Sequence, residues 1–585
     1  MSVSGRQREA PAGRGAGLTG PATAAARRRR AERAVLAALA VAVLFFCYLR
    51  QSSSVPVSSD GSGNILQAWD MLHGNLLLRH WYSSDVSFYT TELPQYALIE
   101  ALLAHWLGLG AWVVHVGAAM TYTLLVLLAA LLAKGRAEGA AGLARALLAA
   151  GIMMAPQLSA TSIVLLSPDH TGTAVPVLVA WLLIARGARG GRGDGQSPRD
   201  RGDPGGSSPR ESPSPGESPS PRGYAVPAAV GVILAWTMVA DSVVLITCIA
   251  PLVLVVVVRS FAALIRGDGG RAGRWYEPSL AGAALIAAGL GTLAPRVIKA
   301  VGGFHVWRIG TRSAPAGNWP HGAVVMAKGF LELFGANVFD AKPALALVFA
   351  VFHLAGVILV LWGLGLALRR LFRPDEFVVA VLAVAILINL GAYTISTHTH
   401  DLLGAREMVE VLPFGAALAG RMLGERTLAA LRAAPMVLRP ALAVVLAGYL
   451  GALGYGAAQT PAPPVNEPLV AWLTGHGFRD GLAGYWEANS TTVASGDRVL
   501  VSAVTRTDDG KLTPYQWETN EEDFDSSLHY ANFLVAGGPA PLKEAKASAE
   551  LTFGPPQRVY QFDGYIVMVW DTNLLDELVR FRIHP

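Results

Sequence analysis

Residues 58–103 read SSDGSGNILQAWDMLHGNLLLRHWYSSDVSFYTTELPQYALIEALL, a polar segment set between hydrophobic runs. It carries Asp60, Asp70, Asp85 and Glu92 among Trp, Tyr, His and Gly, whereas most acids of the chain lie outside its apolar stretches. A pore or a simple anchor has no need of carboxylates and aromatic rings gathered at the exit of its first span. A protein that meets a lipid-linked substrate at a membrane surface does.

Working outward, the 585 residues are 52% hydrophobic and 15% charged, with a mean hydropathy of +0.40. That is the composition of an integral membrane protein. The pI near 9.2 does not point to nucleic acid. Arg gathers at the ends of apolar runs and in two hydrophilic tails, as a topology signal does, and no aromatic–basic platform for single strands is present. Cys47 and Cys248 both lie in apolar runs, so no disulfide framework and no Cys-based zinc site is available. The abundance of Ala, Gly, Arg and Pro points to a GC-rich, actinobacterial-like genome. No small-x-small site follows the run 34–49, which reads as an uncleaved first span.

Runs long enough to cross a bilayer as helices fall near 33–49, 110–133, 143–165, 172–187, 224–240, 242–258, 279–299, 343–368, 377–397, 406–422 and 440–458. Threaded as eleven spans, they leave the Arg and Lys clusters from Arg27–Arg30 to Arg421, Arg426 and Arg432 on one side. The N-terminus is then cytoplasmic and the C-terminus extracytoplasmic, in a multi-pass cell-membrane protein. The stretch 94–108 is apolar but short, and reads as a helix at the outer interface anchored by Trp81, Tyr82, Tyr96 and Trp106. The run 224–258 reads as a hairpin of two short spans turning at Asp241.

The expected organisation is a disordered basic tail (1–31), a transmembrane domain (32–458) and an extracytoplasmic α/β domain (459–585). The transmembrane domain includes an outer catalytic loop (50–109) and a disordered Pro/Gly/Ser linker (188–223). In the last domain RVLVSAV, ANFLVAG and GYIVMVW read as strands, and LVAWLTGHG and TNLLDELVR as helices.

Asp60 is either a cap for the helix NILQAWDMLHG or a general base, since glycosyl transfer needs a carboxylate to take the acceptor's proton. Asp85 and Glu92 flank SFYTT, either as solvated charges or as substrate-binding groups, with Tyr82, Phe88 and Tyr89 as stacking faces. Asp169 and His170, in LLSPDHTGTA, suit an ordinary turn or a proton-transfer or metal role. In ISTHTHDLLGAREMVEVLPFGAALAGR, His398, His400 and Asp401 have a spacing that zinc can use but that loops often show by chance. Arg406, at the outer end of a span, can pair with a lipid phosphate or snorkel to the headgroups. The loop 302–342 mixes His305, Trp307, Arg308, Arg312, Trp319, His321 and Lys328, which suits an anionic headgroup or interfacial anchoring. The Asn489-Ser490-Thr491 sequon reads as chance.

An acidic loop after the first span, an ELPQYALIEALL helix, many spans and an outer C-terminal domain together resemble the GT-C membrane glycosyltransferases. The nearest type is that of the protein O-mannosyltransferases and lipid A aminoarabinose transferases. The resemblance runs over most of 33–458 and implies a polytopic α-helical fold with a C-terminal extracytoplasmic α/β domain. It further implies transfer of a sugar from a polyprenyl-phosphate donor to an extracytoplasmic glycan, lipid or protein. By the resemblance Asp60 in SSDGSGN is the catalytic base, and REMVEVLPFGAALAGR points to Arg406. Family members usually carry an Asp-Glu pair in the first loop, where here Gly61 follows Asp60. The expected substrate-binding residues are Asp85, Glu92, Tyr89, Asp169, His170, Arg406 and His400, with no cofactor or metal indicated. Two other readings stand beside this one: a transporter or flippase of a lipid-linked precursor, and a non-catalytic GT-C-like scaffold.

Overall fold

Backbone groups in lipid find no water, so long apolar runs close their hydrogen bonds internally as helices. The structure, a computed structural model, describes residues 21–166, 170–187, 222–266, 275–307, 313–339, 341–373, 376–538 and 541–578. Most of the basic tail, nearly all of the Pro/Ser linker, Asp169, Arg308 and Arg312 lie outside these residues.

The chain opens with α1 (Pro21–Ser52), α2 (Ser59–Leu72), the short strand β1 (Trp81–Ser83) and α3 (Glu92–Leu107). Next come α4 (Trp112–Lys134), α5 (Gly139–Met153), α6 (Ala174–Gly187), α7 (Arg222–Ala240), α8 (Ala250–Ile265) and α9 (Tyr276–Ala300). After β2 (His305–Val306) follow α10 (Trp319–Leu333), α11 (Ala344–Leu368), α12 (Phe377–Ile395), α13 (Val411–Ala433) and α14 (Pro435–Ala457).

Among the described residues seven helices are long and apolar enough to cross a membrane: α1, α4, α8 with the π turn before it, α9, α11, α12 and α14. The chain is thus a multi-pass membrane protein, and by length and composition its described residues give seven spans, or eight if the bent pair below is one span, where eleven were expected. Two of the remaining expected spans differ for identifiable reasons. The run 143–165 is not one rod: α5 and Leu158–Leu165 meet at 81°, at a break that contains Pro156. Proline there removes a helical N–H and pushes its predecessor out of helical geometry. In the expected span 406–422, Leu403–Met408 is a 3-10 turn that holds Arg406 and Glu407. The α-helix α13 starts only at Val411, is buried from Val411 to Gly420 and runs on into the charged stretch from Arg421 to Arg432. The run 224–258 breaks near Asp241 as expected, with α7 ending at Ala240 and a π turn resuming at Leu245.

Small residues let the helices approach closely. A Cβ on Gly424 of α13 would lie 2.6 Å from the Arg145 Cα of α5, so that crossing tolerates nothing larger. α3 seats the Tyr96 ring over Gly117 of α4 and leaves Leu98, Leu102, Trp106 and Leu107 exposed. That apolar strip suits an interfacial helix, but of the four expected anchors only Trp106 is on it. Trp81, Tyr82 and Tyr96 are buried. Trp81 is fixed by its indole N–H, which donates to Asp70 Oδ2 at 2.7 Å.

The last domain runs α15 (Glu467–Gly475), β3 (Asp480–Ala483), α16 (Tyr485–Ala494), β4 (Leu500–Arg506), β5 (Leu512–Pro514), β6 (Thr519–Asn520) and β7 (Ala531–Gly537). It finishes with α17 (Ala545–Phe553), β8 (Arg558–Phe562) and β9 (Tyr565–Val569). Its sheet has the order β5-β4-β3-β7-β9-β8, parallel at β3–β4 and β3–β7 and antiparallel elsewhere. The expected strands are β4, β7 and β9, and LVAWLTGHG gives α15. Of TNLLDELVR, the described residues 572–578 form only the 3-10 turn Leu574–Asp576, because the Asn573 side chain accepts from Ala531 N at 3.0 Å and ties the segment to β7. A second, three-stranded sheet has the order β2-β1-β6. It joins the loop between α2 and α3, the loop after α9 and the C-terminal domain.

Candidate functional site

α2 starts as soon as the chain leaves α1. Ser58 caps it, accepting the Gly61 N–H at 3.4 Å, so Asp60 is not the cap. Asp60 lies in the first turn, where the positive helix end favours a carboxylate. Its side chain meets the C-terminal domain instead: the Tyr485 hydroxyl donates to Asp60 Oδ1 and also lies 3.2 Å from Glu518 Oε2. Burial pushes the Asp60 carboxyl above its ordinary value, opposed by the Tyr485 hydrogen bond and the Arg406 charge.

A cavity of about 460 Å³ opens beside this pair. Asp60, Ser84, Asp85 and Arg406 form one wall, and Tyr485, Trp486, Tyr515 and Trp517 of the C-terminal domain form the other. Arg406 sits in the 3-10 turn Leu403–Met408, whose start is fixed by Asp401 Oδ1 accepting the Gly404 N–H at 3.1 Å. The site therefore offers a carboxylate of raised proton affinity, a guanidinium and a wall of aromatic rings. Those are the groups needed to take a proton, hold a phosphate and stack on a sugar.

Beside the cavity lies an ion cluster. His170 Nδ1 is 2.7 Å from Asp241 Oδ2, and its Nε2 is 2.9 Å from Glu407 Oε2. With a carboxylate at each nitrogen, both carry protons and the ring is an imidazolium. Burial alone would lower its pKa, but Asp241 and Glu407 together hold it well above the usual histidine value. Burial likewise works against the Glu407 charge, yet His170 and His398 bring that carboxyl well below the usual range. Thr173 Oγ1 donates to Asp241 Oδ2 at 2.8 Å, and His398 Nδ1 lies 3.3 Å from Glu407 Oε1. Glu92 Oε1 accepts the Gly172 N–H at 2.9 Å, and burial pushes Glu92 up to about 7. A Cβ on Gly172 would lie 2.0 Å from that oxygen, so only glycine fits. Burial raises Asp85 as well, with the His170 charge opposing it.

The expected residues thus divide. Asp60, Asp85 and Arg406 share the cavity, whereas His170 and Glu92 are buried in the adjoining cluster. Tyr89 donates to the Leu76 carbonyl at 2.8 Å and packs on Phe304, away from the cavity. His400 points into solvent beside Asp401 while His398 turns to Glu407, so the alternating pair does not converge on one point. Among the described residues no three His, Cys, Asp or Glu side chains are grouped as a metal site. The sequon is buried in α16, where Asn489 Nδ2 donates to the Glu518 carbonyl at 2.9 Å. Sequence reasoning missed Tyr485, Glu518 and the pairing of Asp241. Only Asp241 left a signal, as a lone acid between two apolar runs.

No protein-family model and no curated protein matches this sequence. Among solved structures, ArnT from Cupriavidus metallidurans in the apo state is similar over 94% of this chain and 99% of its own, at 12% identity and a TM-score of 0.51. The apo oligosaccharyltransferase from Archaeoglobus fulgidus matches 85% of this chain and 69% of its own, at 13% identity and a TM-score of 0.44. The oligosaccharyltransferase AglB from the same organism, solved with an inhibitory peptide and a dolichol-phosphate, matches 84% and 69%, at 12% identity and a TM-score of 0.42. The ArnT likeness spans nearly the full length of both chains. The fold is accordingly similar to that of ArnT.

Proposed function

We propose that this protein is a glycosyltransferase that moves a sugar from a polyprenyl-phosphate donor to an extracytoplasmic glycan, lipid or protein. The acceptor oxygen attacks the anomeric carbon, and the bond from that carbon to the phosphate oxygen breaks. Its electron pair leaves with the polyprenyl phosphate, and the acceptor proton passes to Asp60. Arg406 holds the donor phosphate, the aromatic wall receives the acceptor, and the cavity opens on the outer side of the cell membrane. No metal is needed to assign these roles.

The observation that carries the reading is that Asp60 and Arg406 line one cavity, on a fold similar to that of ArnT, although they come from opposite ends of the transmembrane domain. A transporter reading would need a charge such as Asp241 within a span. Asp241 instead lies at a helix break, taken up by His170 and Thr173. The test is donor binding. A charge-assisted hydrogen bond contributes about 1.5–3 kcal/mol, so Arg406→Ala should weaken affinity for a polyprenyl-phosphate sugar about ten- to a hundredfold. Arg406→Lys should restore little, because a point charge cannot reproduce a bidentate contact. Unchanged affinity in Arg406→Ala would remove this residue from the donor site.

A further inference from the structure

Asp60 and the C-terminal domain are joined more closely than a docking contact requires. Ser59 Oγ donates to the Tyr485 carbonyl, and the Tyr485 hydroxyl donates to Asp60, so two successive residues of α2 grip both ends of one tyrosine. Glu518 reaches the same hydroxyl through three separate devices. Its backbone sits at φ 46°, in the left-handed region that a side chain larger than glycine adopts only under constraint. Its carbonyl accepts from Asn489. Gly63, one turn beyond Asp60, leaves it room: a Cβ there would lie 2.5 Å from Glu518 Oε2 and 3.0 Å from Asn489 Nδ2. The next two residues then pair with β1, locking the segment to the first outer loop.

We propose that Tyr485 and Glu518 are positioning residues that set the proton affinity of Asp60, which makes the C-terminal domain a working half of the catalytic centre. The inference rests on the reading of Asp60 as the base. A tyrosine hydroxyl has one proton, and here two carboxylates compete for it. Donated to Asp60, it stabilises the ionised carboxylate and keeps the base available. Glu518 acts in the opposite sense by drawing on that proton, since the same hydroxyl lies 3.2 Å from its Oε2. Glu518 is 1% exposed, so water screens this effect poorly. The other charged or titratable groups facing Asp60 are Arg406 from the 3-10 turn, Asp85 from the first loop, and Tyr515 and Lys543 of the C-terminal domain. None of these changes in the variants below.

The two substitutions should move Asp60 in opposite directions, which a merely structural role would not do. Tyr485→Phe keeps the ring in place against Trp486 and Tyr515 and removes only the donor. Its acidic limb of kcat/KM should rise by about one pH unit, in line with the loss of one charge-assisted hydrogen bond. Glu518→Gln removes the competing charge, and its limb should fall. The same shifts should appear in the pH dependence of Asp60 modification by a water-soluble carbodiimide, followed by peptide mass spectrometry on the full chain in lipid nanodiscs. That reaction consumes the protonated carboxyl and needs no sugar transfer. Opposed shifts in labelling without any turnover would keep the inference and overturn the proposed reaction. A Tyr485→Phe profile that stays or falls, or a Glu518→Gln profile that does not fall, would overturn the inference itself.

Discussion

His170 illustrates what a single side chain does here. Its two nitrogens bind Asp241 from the break between α7 and α8 and Glu407 from the turn before α13, so one ring ties three segments together. Removing one partner of a buried ion cluster leaves charge unpaired, at a typical cost of about 3–5 kcal/mol. His170→Gln should therefore lower the melting temperature at neutral pH. The pH dependence has a definite sign. The raised His170 value contributes stability that is complete below the unfolded histidine pKa and is lost only as pH climbs through the higher folded value. The depressed Glu407 value contributes stability that is present above the unfolded carboxylate pKa and is lost on acidification. Wild-type melting should thus be flat only from about pH 5 to 6.5, falling below that window as Glu407 is protonated and above it as the His170 contribution is lost. In His170→Gln acidification should stabilise, because it discharges two carboxylates left facing each other. A variant profile parallel to wild type would contradict the cluster. At this scale the sequence exposed the acids of the first loop and Arg406, because their chemistry is conspicuous beside apolar spans. It could not expose Tyr485 or Glu518. Tyr485 lies 425 positions from Asp60, and no local pattern marks a contact closed over that distance.

Among the elements, helices and strands were legible where periodicity and length were unambiguous, as in α4, α9, α11 and β4. What escaped was set by single residues acting against the run around them. Pro156 bends the third span, Asn573 turns an expected helix into a 3-10 turn, and Asp70 draws Trp81 into the interior. The C-terminal domain carries a prediction of its own. Leu482, Val504, Leu534, Met568 and Trp570 pack together, as do Leu469, Val499, Phe533 and Val567, and each of these cores is drawn only from the domain's own residues. A sheet with two self-supplied cores can fold alone. The isolated segment 465–585 should melt cooperatively and give a mixed α/β circular dichroism spectrum. A random-coil spectrum would show that the three-stranded sheet with β1 and β2 is required for folding.

Across the whole molecule, the groups of the candidate site gather where the helical domain meets the C-terminal domain. Asp60, Asp85, His170, Asp241 and Arg406 lie on or beside the face that meets the C-terminal domain. Arg145 with Glu425, Arg259 with Glu277 and Arg370 with Glu376 are paired elsewhere in the helical domain, and none of them lines the cavity. The acids of the first loop and Arg406 were legible in the sequence, because charge beside apolar spans is costly and conspicuous. The joining of the two domains was not, because it rests on the short strands β1, β2 and β6, which carry no periodic signal. The account turns on Asp60 as the base, and sugar transfer from a polyprenyl-phosphate donor by the full chain in reconstituted membranes measures that directly. Asp60→Asn keeps the size of the side chain and removes its capacity to take a proton. Turnover should fall about 10²–10⁴-fold, the usual contribution of a positioned base, while donor affinity held by Arg406 is retained. Wild-type turnover in Asp60→Asn would contradict the account.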